Sequence, residues 1–315
     1  NPALAAPRAE VYPDWWAFFH GRVRIGKVLL DSPEIWVKRL PTSFAAPIDP
    51  ELAGLNLGIR NGVLQVAENS QFAVLQSRDF SVKSLNGNVA ISPAAVNFDL
   101  SGKPAQGGNL ALSGNYRRED ASYRLKFSFR NFNLQEMFFS FAQGRLTPGD
   151  TPLNLTGNIE GRGVEKMSGT IVGDSPCLLV YPKDKNILLS CGAVDLAFTK
   201  DGDNLLLTLK ELELLEPGLK LAGTVRSTAG SKADSAPVWQ LDLTGEDLDL
   251  TRIRAAVLAM WGKNEIAGKL GEIVQGGTVG KAGFSFKGTA AELEYVRNMH
   301  VNAEKIDATI KIPAG

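Results

Sequence analysis

The chain has 315 residues, 44 % hydrophobic and 22 % charged, a composition that excludes a wholly disordered protein. Its 34 Lys plus Arg balance 34 Asp plus Glu, so no basic excess exists to hold a phosphate backbone, and no nucleic-acid partner is expected. No run approaches the roughly 18 apolar residues of a spanning helix, and the leader Asn1-Pro-Ala-Leu-Ala-Ala-Pro-Arg8, with no initiator Met, reads as a piece of a longer protein or as a chain whose membrane or signal segment is gone.

Residues 1–50 open with an aromatic cluster, Asp14-Trp-Trp-Ala-Phe-Phe19, which suits core packing or a hydrophobic lid, with membrane contact as the other reading. Strand patterns follow at Arg22–Leu30 and Glu34–Arg39, then a proline-rich loop at Pro41–Pro50. A first β-repeat is expected over residues 51–150. It begins with Leu55–Ala67, where Asn61-Gly62 between alternating runs predicts a hairpin turn. Further strands are expected at Phe80–Ser84, Gly87–Ile91, Ala95–Ser101, Asn109–Tyr116 and Ser122–Arg130. A helical crossover over Leu134–Gly144 closes this repeat, with Leu134, Met137, Phe138 and Phe141 on one face.

Residues 151–315 replay the order as a second β-repeat. Tyr123–Met137 lays over Trp239–Ile253 without a gap, so that Leu125 meets Leu241, Phe127 meets Leu243 and Asn131 meets Asp247. Leu85–Ile91 likewise matches Ser190–Leu196, Gly108–Gly114 matches Pro217–Gly223, and Pro152–Gly157 matches Gly283–Gly288. The second crossover is a longer helix, Leu250–Val274. The fold class is therefore mainly β: a long curved antiparallel sheet, an open groove or sandwich-like, made of two related meander repeats with two short helical segments.

Within the second repeat, Cys177-Leu-Leu-Val-Tyr-Pro and Ile187-Leu-Leu-Ser-Cys191 flank a polar turn centred on Asp184. That symmetry sets Cys177 opposite Cys191, a disulfide candidate that would imply an oxidising compartment, with two free thiols as the alternative.

Alternation places Leu and Phe on one face of these strands and polar residues on the other. The apolar set includes Leu110, Leu112, Leu125, Phe127, Phe129, Leu205, Leu207, Leu209, Leu219, Leu221, Leu241, Leu243, Phe284 and Phe286. Two helices are too few to cover such a face, and an exposed apolar surface of that size is a binding site. Catalytic chemistry has no counterpart here. His20 and His300 stand alone, and no closely spaced Cys or His set supplies a metal site. Gly276–Ala282 is one residue short of a phosphate loop and ends in Ala where Ser or Thr is required. Gly161-Arg-Gly163 reads as a turn, and Glu211, Glu213 and Glu216 as a solvated strand face. Arg252 and Arg254 suit either phosphate headgroups or a solvated helix face. No enzyme, cofactor or metal is expected.

Val23-Arg-Ile-Gly-Lys-Val-Leu-Leu-Asp-Ser-Pro-Glu-Ile-Trp-Val-Lys-Arg39 resembles an N-terminal pattern of AsmA-like proteins of Gram-negative envelopes. Leu57–Val66 with Asn61-Gly62, the Asp247-Leu-Asp-Leu250 crossover and the Gly-ended Phe284–Gly288 are similar to features of the same family. The chain departs from it in lacking an N-terminal membrane anchor and in stopping at Ile310-Lys-Ile-Pro313 while still strand-like. The resemblance implies long β-sheets, as in AsmA and TamB-type bridge-like lipid transfer proteins, whose apolar lining moves phospholipid between inner and outer membranes. It implies a periplasmic location, with the full-length protein anchored to the inner membrane through segments missing here and open to envelope protein partners. The alternative expectation is a structural or assembly scaffold of the envelope without lipid transport.

Overall fold

The computed structural model describes residues 4–37, 54–66, 75–77, 80–105, 107–133, 137–141, 144–148, 152–163, 165–175, 178–182, 187–228, 236–261, 265–289, 292 and 298–311. The fold is mainly β, a long and mostly antiparallel sheet that is not closed, with three short helices among the described residues. The chain divides into two compact units, Asn1–Met137 with Asn154–Gly169, and Phe138–Leu153 with Thr170–Gly315.

The chain begins with β1 (Leu4–Ala5), β2 (Arg8–Pro13), α1 (Trp15–Phe19), β3 (Ile25–Asp31) and β4 (Glu34–Val37). It continues through β5 (Asn56–Val66), β6 (Leu75–Ser77), β7 (Phe80–Ile91), β8 (Ala95–Pro104), β9 (Asn109–Arg117) and β10 (Ser122–Asn133). Next come β11 (Met137–Phe141), β12 (Gly144–Pro148), β13 (Pro152–Arg162), β14 (Lys166–Asp174), β15 (Leu178–Pro182) and β16 (Ile187–Asp201). Last are β17 (Asn204–Glu216), β18 (Leu219–Thr228), β19 (Val238–Asp249), α2 (Leu250–Trp261), α3 (Glu265–Ile273), β20 (Val274–Gly288) and β21 (Met299–Ile310).

The duplication is visible in the order of pairing. In the first unit β7 pairs with β8, β8 with β9, β9 with β10 and β10 with β13. In the second, β16 pairs with β17, β17 with β18, β18 with β19 and β19 with β20. The two registers differ by two residues: Gly114 pairs with Leu125, whereas its counterpart Gly223 pairs with Leu243, the counterpart of Phe127. An even slip leaves every side chain on its original face.

Several expectations are corrected. The crossover at Leu134–Gly144 is not a helix: Met137–Phe141 is strand β11, whose Phe139 pairs with Leu146 of β12. Phe-Phe-Ser-Phe suits a pleated strand, and so short an apolar run does not separate helix from strand by period alone. Residues 134–136 lie outside the described set. The expected helix Leu250–Val274 is two helices, α2 and α3, and Val274 already belongs to β20. With α1 the helical segments among the described residues number three, not two. Two strand pairings are also parallel: β3 and β4 both run alongside β5. Val37 and Asn56 are separated by positions 38–55, room for the long connection that parallel strands require.

Leu55–Ala67 is not a hairpin either, since Asn56–Val66 is the single strand β5. Asn61 has φ 53°, and its N–H donates to Asn86 Oδ1 at 3.0 Å while the strand passes through a bulge. The same device recurs. Ser32, Ser84, Asn131, Asp247 and Lys305 are also left-handed residues within or between strands. Each stands second in a pair of polar residues between two small or apolar ones: Leu30-Asp-Ser-Pro33, Ile59-Arg-Asn-Gly62, Val82-Lys-Ser-Leu85, Phe129-Arg-Asn-Phe132, Gly245-Glu-Asp-Leu248 and Ala303-Glu-Lys-Ile306. Strict alternation would throw the fourth residue onto the opposite face. The left-handed residue reverses that phase, so Phe132 stacks 5.1 Å from Phe129, and Leu248 lies where a side chain at Gly245 would point. The expected equivalence of Asn131 and Asp247 is thus an equivalence of backbone conformation.

The disulfide candidate rests on a register that the structure shifts by one. Leu178 pairs with Leu189 and Val180 with Ile187, whereas symmetry about Asp184 requires Leu178 opposite Ser190. Cys191 pairs with Leu214 of β17, and Cys177 lies outside the described residues.

Candidate functional site

Cross-strand pairing sorts side chains into rows that run across the strands, because directly paired residues share a face. In the first unit one row reads Leu30, Ile59, Gly87, Leu100, Leu112 and Phe127 across six strands. Beside it run Val28, Leu57, Val89, Phe98, Gly114 and Leu125 on one flank, and Gly102, Leu110 and Phe129 on the other. In the second unit a row reads Phe198, Leu207, Val225, Leu241, Phe286 and Met299. Its neighbours are Leu196, Leu209, Gly223, Leu243, Phe284 and Val301, then Val194, Leu212, Leu221, Gly245, Ala282 and Ala303. No charged residue interrupts any of these rows.

The fourteen residues expected on the apolar face therefore form two groups. Leu110, Leu112, Leu125, Phe127 and Phe129 share one face of the first unit. Leu205, Leu207, Leu209, Leu219, Leu221, Leu241, Leu243, Phe284 and Phe286 share one face of the second. Leu209 pairs with Gly223, two positions from Leu221, and a bulge between Leu209 and Leu212 in β17 brings Leu212 onto the same face opposite Leu221. Leu110 and Phe286 are buried, and the other twelve are half-buried. The flanking strands extend the rows with Ile59, Val89, Phe98, Leu196 and Val225, which carry the same alternation in the sequence.

Fully packed core occupies only part of each face. In the first unit Ile59, Val82, Leu85 and Leu110 form it, with Leu100 and Phe129 against them. In the second, Leu248, Val279 and Ala282 form it, with Leu219, Phe284 and the helical Leu250 and Ile253 packed on top. So α2 lies on the apolar face and covers the end of β19 and β20, leaving the rows farther along half-buried. At the last strand Met299, Val301 and Ile306 are exposed on that face.

The opposite face is charged and paired. Lys210 meets Asp195 at 3.2 Å, and Lys220 meets Glu211 at 2.9 Å, a contact that holds the Lys220 ammonium above its ordinary pKa. Where α2 meets the end of the sheet, Glu216 pairs with Arg252 of that helix at 3.0 Å, and Arg252 also reaches Asp249 at 3.3 Å. Arg254 donates to the carbonyl of Gly271 at 2.7 Å and ties α2 to α3. Both arginines are thus engaged within the protein; Glu211 lies in an ion pair on the solvated face, and Glu216 in one with α2. In the first unit Asp120 is held down at about 2, chiefly by the Ser122 hydroxyl at 2.7 Å, with the Ser122 N–H and Arg162 assisting against partial desolvation. That carboxylate pins the β9–β10 turn.

No family model, curated protein or solved structure matches the chain.

The remaining sequence candidates resolve structurally. Gly276–Ala282 lies within β20 and forms no loop. Gly163 turns the chain after β13 with φ 61°. His300 pairs with Ser285 on the polar side of β21, and His20 Nδ1 lies 2.8 Å from the Trp16 carbonyl. Among the described residues no three His, Cys, Asp or Glu side chains gather to hold a metal, and no helix is long and apolar enough to cross a membrane. The cluster Asp14–Phe19 does not enter the core. It forms α1, with all four aromatic rings exposed.

Proposed function

We propose that the protein shields lipid acyl chains against the apolar rows of its sheet and so helps phospholipid cross an aqueous space. The observation that carries this reading is the set of half-buried apolar rows that no charged residue interrupts, backed by a charged face. Exposing a methylene to water costs about 0.8 kcal/mol, so a dozen cost on the order of 10 kcal/mol. Neighbouring strands stand about 4.8 Å apart. A chain sliding along a row therefore meets the next apolar side chain before it leaves the last, and no polar step raises the barrier. The headgroup stays in water, and no residue has to do covalent chemistry.

The resemblance to AsmA-like proteins supplies the setting of this proposal: the periplasm, phospholipid as cargo, and transfer between inner and outer membranes. Protein purified from a phospholipid-containing host is expected to yield phospholipid on solvent extraction and mass spectrometry, and to take up a hydrophobic fluorophore in its native state. Lipid-free protein that excludes the fluorophore contradicts the reading. One observation favours the alternative, an envelope scaffold: β21 exposes Val301, Ile306 and Ile310 at an edge with no further strand among the described residues. Such a scaffold would bind a partner strand without extractable lipid.

A further inference from the structure

The β2–β3 connection carries a second apolar surface, separate from the rows. Trp15 is 63 % exposed, Trp16 75 %, Phe18 54 %, Phe19 77 % and Val23 94 %. Four aromatic rings within five residues, all turned to solvent, contribute nothing to the core, and their hydration is costly.

The loop is nevertheless built rather than loose. Asp14 Oδ1 accepts the N–H groups of Trp16 and Ala17, both at 3.1 Å, and the Asp14 carbonyl accepts that of Phe18 at 3.0 Å. Ala17 accepts from His20 and Arg22, and Phe18 accepts from Gly21. The Asp14 N–H donates to the Arg24 carbonyl at 2.8 Å and closes the loop at its base. Backbone donors satisfied from within are what a segment needs to leave water for the edge of a bilayer, where no solvent replaces a lost hydrogen bond. Tryptophan rings favour that interfacial layer.

Charge selects the kind of surface. Arg22 and Arg24 are exposed beside the rings, and neither stands in an ion pair among the described residues. The nearby carboxylates are occupied: Asp14 caps α1, and Glu10 pairs with Arg8 at 2.8 Å and accepts from Tyr12. Exposed aromatic rings with unpaired arginines at their rim complement a bilayer bearing anionic headgroups.

We infer that the Trp15–Arg24 loop is a preformed interfacial anchor that seats this hairpin on an anionic bilayer. This goes beyond acyl-chain shielding, because the loop touches the membrane surface and the rows take single lipids. The test uses the whole chain with vesicles of phosphatidylethanolamine and phosphatidylglycerol, read by co-flotation and by quenching of Trp fluorescence with brominated lipid.

The chain is expected to float with the vesicles, and Trp16→Ser with Phe19→Ser to weaken partition roughly tenfold or more. Both side chains are solvent-exposed, so the thermal midpoint should not move. Arg22→Ser with Arg24→Ser is expected to weaken binding to these vesicles and to leave binding to phosphatidylcholine vesicles unchanged. Absence of wild-type binding, or equal binding by the aromatic variant, overturns the anchor. Insensitivity to the arginine variant overturns its preference for anionic lipid. Lipid extracted from the aromatic variant should equal that from wild type, which separates failure of the anchor from failure of acyl-chain shielding.

Discussion

Leu112→Glu is expected to reduce bound phospholipid roughly tenfold or more, the loss of about 1.4 kcal/mol or above that one ionised group imposes on hydrocarbon beside it. Leu112 lies mid-row between Leu100 of β8 and Phe127 of β10 and is half-buried. A carboxylate there puts a polar step into an otherwise apolar track. Two companions isolate the cause. Leu112→Ala removes packing but keeps the row apolar, so lipid should remain bound. Ala111→Glu adds the same charge at an exposed position between Ser101 and Ser128 on the other face, so it should leave lipid unchanged. Lipid retained by Leu112→Glu, or lost equally in Ala111→Glu, contradicts the assignment of faces.

Gly223→Ala is expected to cost about 3–5 kcal/mol, enough to lower the unfolding midpoint sharply or prevent folding. Gly223 has φ 149°, a conformation that side-chain-bearing residues rarely adopt. Its position is also crowded, because an added methyl group would run into the carbonyl of Asp242 and the Cα of Leu243 on β19. Neither backbone atom can yield without breaking the β18–β19 ladder. Gly87 and Gly277 meet the same obstruction from Asp99 and Asp307 on their own neighbouring strands. Gly202, with φ 58° in open space at a turn, isolates the conformational part, and Gly202→Ala should cost only about 1 kcal/mol. Denaturant midpoints of the two variants compare the effects. Equal losses would mean that crowding at Gly223 is relaxed by the sheet.

What the sequence disclosed follows from the range of its signals. Alternation acts residue by residue, so the apolar face, the strands from Ala95 to Arg130 and the duplication of β10 in β19 were legible. Phase reversals were not, because a spacing of three between apolar residues is also how a helix begins. The sequence after Arg130 suggests the approach to a crossover helix, and Asn61-Gly62 suggests a hairpin. In both strands a left-handed residue keeps the apolar face continuous instead. Six repetitions of two polar residues between small or apolar ones were available as the clue, and only pairing across strands gives them meaning. Symmetry about Asp184 assumes an odd turn centre, whereas the β15–β16 pairing is shifted by one residue, and Cys177 itself lies outside the described residues. The exposure of α1 could not be read from its composition, since Trp and Phe are equally at home in a core.

The central claim is that acyl chains lie on one face of this sheet and not on the other. Photo-crosslinking residues introduced singly at Leu112 and Leu207 should capture radiolabelled phospholipid upon irradiation. The same residue at Ser113 and Thr208, one position along each strand and on the opposite face, should capture none. Adducts at all four positions, or at none in protein from which lipid is extracted, would contradict the account.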